Sequence, residues 1–248
     1  MKKNIKLPAP QLSTLKEVNI ELDMRGTHYA DLADSDGMIP EDIVTSILQD
    51  LLDEDANKLT LNELRYLFML VKIHNLENKY SATIRCTHEN CDEINELNLS
   101  LSDNDIHNTP ENYEVPKIEF IVDNIKKEYK ILPPTMDMES SLMNYFLSTK
   151  NVTIDEITQD KKLSFQFTYL RNLLHLVDNE ERLMTSDIQF EPMLETIKQN
   201  TYMTINKLYE KCNEVNSFGV QNKIYEIKCR RCGGNLVFRL PLLYGLSN

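Results

Sequence analysis

Along this chain the spacing of apolar positions changes period several times, and each change predicts an element. In "GMIPEDIVTSILQDLLDED", Ile43, Val44, Ile47, Leu48, Leu51 and Leu52 recur three and four residues apart. That spacing makes one apolar helix face, and Pro40 followed by acids suits its first turn. A second helix is expected after Thr60, where Thr60 as N-cap and Glu63 three residues on form a capping box. Its body, "LNELRYLFMLVKIHNL", is apolar around most of its circumference, which predicts a place at the centre of the core. From Lys79 the period falls to two. "KYSATIRC" and "INELNLSL" read as two strands of a hairpin. "KIEFIVDNIKKEYKILPP" reads as another, turning near Asp123-Asn124 and stopped by Pro133-Pro134.

Helical periodicity then returns in "TMDMESSLMNYFLSTK", "KLSFQFTYLRNLLHLV" and "FEPMLETIKQNTYMTINKLYEKCNEV", the last read as one long helix. "NKIYEIKC" and "NLVFRLP" close the chain as strands. Upstream, the prolines of "LPAPQL" exclude a helix, and "EVNIELDMRG" reads as a strand. The expected division is an extended arm over 1–18, an α+β part over 19–132, a helical insertion over 133–220 and a β segment over 221–248. The fold class is therefore α+β. Strands from the N-terminal half and the C-terminus form one small antiparallel knuckle sheet, and the helical block interrupts it.

Each β segment carries a cysteine pair, Cys86 and Cys91 in "CTHENC" and Cys229 and Cys232 in "CRRCGG". A strand delivers the first sulfur, a tight turn presents the second, and a second strand carries the chain away. Close cysteine pairs of this kind supply two of the four ligands of a tetrahedral Zn²⁺. Gly233 and Gly234 permit the turn conformation or close approach that a knuckle needs. A redox CxxC usually opens a helix, whereas these flanks are strands. The reading is a Cys₄ structural zinc site of Cys86, Cys91, Cys229 and Cys232. His88 is an alternative ligand inside the first knuckle, and Cys212 reads as a core thiol.

Composition narrows the function. With 39 acidic against 27 basic residues the formal charge is −12, which argues against a protein that coats nucleic acid. No apolar run approaches the ~20 residues of a membrane span. Behind the lysines of "MKKNIKLPAPQLSTLKEV" there is no uninterrupted apolar stretch, so neither a secretory signal nor a disulfide scaffold is expected. Phosphate-binding, zinc-protease, serine-hydrolase and kinase motifs are missing from the sequence, and six glycines leave little scope for phosphate loops. His28, His74, His107 and His175 stand alone, and His175 reads as a hydrogen-bonded helix residue. The acid clusters "LDEDANK" and "LADSDG" miss the EF-hand ligand order and read as solvated loops. An enzyme is not expected. Lys228, Arg230 and Arg231 beside the second knuckle are the one place where a nucleic-acid backbone could be touched, but in so acidic a chain a protein carboxylate is the expected partner.

Two stretches resemble a known family. "LTLNELRYLFMLVKIHNLENKYSATIRCTHENCDEINELNLSL" is similar to the central block of the T4-like phage baseplate hub family, where a leucine-rich helix leads into a strand, a cysteine knuckle and a polar strand. "YEIKCRRCGGNLVFRLPL" resembles that family's C-terminal knuckle and hydrophobic end. The resemblance implies a non-enzymatic component or assembly factor of the hub, with other phage tail or baseplate hub proteins as partners. It implies residence in the host cytoplasm during assembly or in the tail baseplate of the virion. Carried over by position, the four cysteines are the zinc ligands, and Leu64, Tyr66, Leu67 and Phe68 belong to the neighbouring core helix. The alternative is a zinc-ribbon adaptor or regulator that binds nucleic acid or a polymerase.

Overall fold

A computed structural model describes residues 2–33, 41–75, 79–100, 102, 105–184, 189–221 and 224–239. Residues 34–37 of the "LADSDG" cluster, with both of its acids, Pro40 and the last nine residues lie outside them. Antiparallel hairpins alternate with helices, and the class is α+β.

In the N-terminal half, β1 (Lys3–Lys6) pairs with β2 (Glu17–Ile20), and α1 (Gly26–Ala33), α2 (Glu41–Leu51) and α3 (Leu61–Asn75) follow. The proline-containing stretch between β1 and β2 buries Leu7 in one core and Leu12 in another. Val44, Ile47, Leu48 and Leu51 of α2 pack against Leu64, Leu67, Phe68 and Val71 of α3. The capping box at the start of α3 is formed: the Thr60 N–H donates to Glu63 Oε2 at 2.8 Å, and the Glu63 N–H to Thr60 Oγ1 at 3.3 Å. Burial raises the Glu63 carboxyl above its usual range, and these bonds oppose the rise. The helix serves two clusters, because Met69, on another face, packs with Leu97 and Val220. Both near-continuous apolarity and central position follow from that. The acids of "LDEDANK" have structural partners. Asp53 pairs with Lys2, Asp55 accepts from the Asn57 N–H at 3.0 Å, and Glu54 Oε2 accepts from the Asn19 N–H at 3.1 Å.

α3 leads into the hairpin β3 (Lys79–Arg85) and β4 (Ile94–Ser100), then β5 (Asp105–His107). A four-stranded sheet follows, ordered β6 (Lys117–Val122), β7 (Ile125–Ile131), β8 (Leu176–Asp178) and β9 (Glu181–Arg182). Asp123 and Asn124 make its first turn with φ of +51° and +62°, the left-handed pair that a two-residue hairpin requires. Phe120, Tyr129, Ile131 and Leu176 of this sheet form a core with α4 (Met136–Asn144), α5 (Ile154–Gln159), α6 (Lys161–Leu173), α7 (Phe190–Leu194) and α8 (Tyr202–Asn216). The chain then forms β10 (Gly219–Gln221), β11 (Ile224–Lys228) and β12 (Asn235–Arg239). No described helix is long and apolar enough to cross a membrane.

Three expectations are corrected. The segment "KLSFQFTYLRNLLHLV" does not stay helical, because α6 ends at Leu173 and the chain enters β8. The Leu132 N–H donates to His175 O at 2.9 Å, and the Arg182 guanidinium donates to Leu132 O, Leu174 O and Pro133 O, so sheet pairing captures the end of the helix. His175 is hydrogen-bonded as expected but lies outside the helix. The long helix over 190–215 is broken between α7 and α8. Asn200 turns its amide to strand β6, donating to Ile121 O at 2.8 Å and accepting the Ile121 N–H at 3.0 Å, and Thr201 caps a new helix. Last, the knuckle strands do not make one sheet. Among the described residues β3–β4 and β11–β12 are separate two-stranded ladders, and β5 pairs with β10.

The His175 imidazole is buried, and desolvation holds its pKa down to about 4 from 6.5. Its Nδ1–H donates to Arg171 O at 3.1 Å, and its Nε2 accepts from Asn216 Nδ2 at 3.0 Å, which is a neutral ring. Between these two pH values the unfolded chain binds the proton more readily, so the contribution is full above about 6.5 and is lost as pH falls through 4. It amounts to about 3 kcal/mol. Urea unfolding from pH 7 to 4 should show this loss, and His175→Gln should remove most of that slope; an unchanged slope would contradict the buried neutral ring.

Candidate metal centre

The first knuckle is built on β3 and β4. The Cys86 N–H donates to Glu93 O at 2.9 Å and the Cys91 N–H to His88 O at 3.0 Å, closing the turn, in which Asn90 takes a φ of +59°. The second is built on β11 and β12, where the Cys229 N–H donates to Gly234 O and the Gly233 N–H to Cys229 O, both at 2.9 Å. The two glycines serve different needs. Gly233 has a φ of +71°, whereas a Cβ on Gly234 would sit 2.6–2.7 Å from the His88 ring.

The four sulfurs converge. Those of Cys86, Cys91, Cys229 and Cys232 all lie within 4.8 Å of one another. Cys86 Sγ is 3.6 Å from Cys232 Sγ, and Cys91 Sγ is 3.6 Å from Cys229 Sγ, so each close pair joins one knuckle to the other. A disulfide needs about 2.05 Å. A tetrahedral tetrathiolate with bonds near 2.3 Å has sulfur–sulfur edges of about 3.8 Å, so the donor set fits a metal ion. Cys86, Cys91 and Cys229 are buried and Cys232 is exposed.

Backbone N–H groups aim at these sulfurs: His88 at Cys86, Glu93 at Cys91, and Cys232 and Arg231 at Cys229. Donors so placed favour thiolate. They bring the Cys229 thiol down to about 6, aided by the Asn95 amide. Cys86 has its His88 donor, but burial and the neighbouring sulfurs push it up to about 12. Crowded thiols without a cation cannot all ionise; a cation removes that conflict. Cys212 is elsewhere, packed in the helical core with its Sγ 3.6 Å from Asn172 O, and burial pushes it up to about 12.

The sequence pattern brings all four cysteines to one place, and the structure does the same. His88 lies beside them, its Nδ1 3.3 Å from Cys86 Sγ, with its ring over Gly234. Lys228, Arg230 and Arg231 are exposed around the second knuckle. Asn95 was missed. It faces inward on β4, 2% exposed, between the two knuckles, and the signal available was a polar residue at an inward position of the alternating "INELNL".

A model of the family described as T4 bacteriophage base plate protein matches residues 11–241. The chain belongs to that family. No curated protein and no solved structure matches it. The matched span contains all four clustered cysteines, so in this base plate protein the cluster lies within the family region. A separate open recess of about 790 Å³ between α2, α3, α4 and α6 contains no cysteine. Its Arg171 and Glu139 are paired with each other at 2.9 Å.

Proposed function

We propose that this base plate protein is a non-enzymatic component or assembly factor of the baseplate hub, held together by one structural Zn²⁺ on Cys86, Cys91, Cys229 and Cys232. The observation that carries the reading is the convergence, in a base plate family chain, of thiols 138 and 146 residues apart. Four soft thiolates in a tetrahedron suit Zn²⁺. They also fill its shell, leaving no position for water or substrate, which supports a structural over a catalytic ion. In this reading residues 133–220 are an insertion between two β segments, and the ion closes the module around it. The partners are other tail or hub proteins, met in the host cytoplasm during assembly or in the tail baseplate of the virion.

Complementation tests this reading. A phage lacking the gene should accumulate tails arrested before the hub is complete. Wild-type protein and Cys212→Ser should rescue it, and Cys229→Ser should not. Finished, infectious tails in the deletion strain would end the hub assignment.

A further inference from the structure

We propose that Asn95 is a positioning residue of the cysteine centre, one side chain that registers the second knuckle on the first and tunes the Cys229 sulfur; this rests on the metal reading above. Strand β4 alternates, with Ile94, Glu96 and Asn98 outward and Asn95 and Leu97 buried. Ile84 stands opposite Asn95 in the ladder. Ile84 and Ile227 pack beside the cysteines, so the pattern calls for an apolar residue at 95. A buried amide is tolerated only with its partners supplied.

Three partners are supplied. Asn95 Oδ1 accepts the Arg230 N–H at 2.9 Å. Asn95 Nδ2 lies 3.3 Å from Glu93 O and 3.7 Å from Cys229 Sγ. A backbone N–H only donates, so the contact with Arg230 fixes which end of the amide is oxygen. The NH₂ end then meets two acceptors, a carbonyl and a sulfur. Glu93 O also accepts the Cys86 N–H. A single chain of bonds therefore runs from the Cys86 backbone through Glu93 and Asn95 to the Cys229 sulfur and the Arg230 backbone. It joins segments 134 and 135 residues apart where, among the described residues, no strand ladder does so.

An N–H donor to a metal-bound thiolate withdraws electron density from the sulfur. It makes that sulfur a poorer nucleophile and raises the energy of sulfur-to-metal charge transfer. Groups that orient metal ligands in this way typically account for about 10- to 100-fold in metal affinity.

The test uses Co²⁺ as the optical probe in the full-length chain, comparing wild type, Asn95→Leu and Asn95→Asp. Both variants lose the donor to sulfur, and the aspartate keeps an acceptor for the Arg230 N–H, which covers the case of Asn95→Leu failing to fold. Each should bind Co²⁺ about 10- to 100-fold more weakly. Each should also move the charge-transfer band to longer wavelength and speed alkylation of the metal-loaded protein by iodoacetamide. A normal wild-type band that stays in place in the variants, with alkylation unchanged, overturns the role of Asn95 alone. A wild-type protein that shows no sulfur-to-cobalt band overturns the metal reading itself.

Discussion

Replacing Cys229 or Cys86 with serine should release the metal and unfold the knuckle module, whereas Cys212→Ser should keep a full equivalent of metal. The reason lies in how little else holds the module. Its buried apolar contacts are two small clusters, Cys86, Cys91, Cys229 and Leu236 in one and Leu97 with Met69 and Val220 in the other, with Ile84 and Ile227 partly buried beside both. Among the described residues the two hairpins share no ladder. Binding of a structural zinc is worth on the order of 10 kcal/mol at neutral pH, which matches or exceeds the net stability of many domains. The helical core is built on its own apolar residues, so the loss should be local at first. Hydrogen exchange should lose protection in β3, β4, β11 and β12 while β6 and β7 retain theirs. A chelator added to wild type should give the same pattern. Equal protection in all three variants would remove the metal's clamping role.

Gly219→Ala should cost about 4 kcal/mol, adding backbone strain of about 1–3 kcal/mol to overpacking of similar size. Gly219 opens β10 with a φ of +101°, a conformation that side chains rarely adopt. A Cβ there would lie 2.8 Å from Asn62 Cβ and 3.4 Å from its Cγ. Asn62 is not free to withdraw, because its Nδ2 donates to Asn216 O at 2.8 Å and Phe218 O at 2.7 Å. These contacts seat the C-terminal segment against α3 before it pairs with β5. The substitution therefore strains the path by which the second knuckle reaches the first. Chemical denaturation would measure the loss, and a change below about 1 kcal/mol would show that the segment is seated some other way.

What could be read from the sequence was local. The Thr60–Glu63 capping box, the Asp123-Asn124 turn and the two-residue alternation of β3, β4, β6 and β7 each depend on neighbours a few positions away. The two cysteine pairs were legible for the same reason, and their meeting followed from the incomplete donor set that each presents. What escaped depends on distant partners. Asn200 ends a helix because Ile121 takes its amide, and α6 ends where the sheet captures His175. Asn95 is polar because Arg230 and Cys229 stand across from it. Gly219 is a glycine because Asn62 lies against it. The single knuckle sheet was inferred from two strand pairs of similar pattern, yet among the described residues they meet through sulfurs, one amide and a few apolar side chains rather than through backbone ladders.

In the proposed reading one ion is bound jointly by four thiolates, two from each knuckle. X-ray absorption at the zinc edge of untagged, unreconstituted protein addresses it most directly. One equivalent of zinc is expected, with four sulfur neighbours at about 2.3 Å and no oxygen or nitrogen bound directly to the ion. Less than half an equivalent, or a shell containing light atoms, would contradict it.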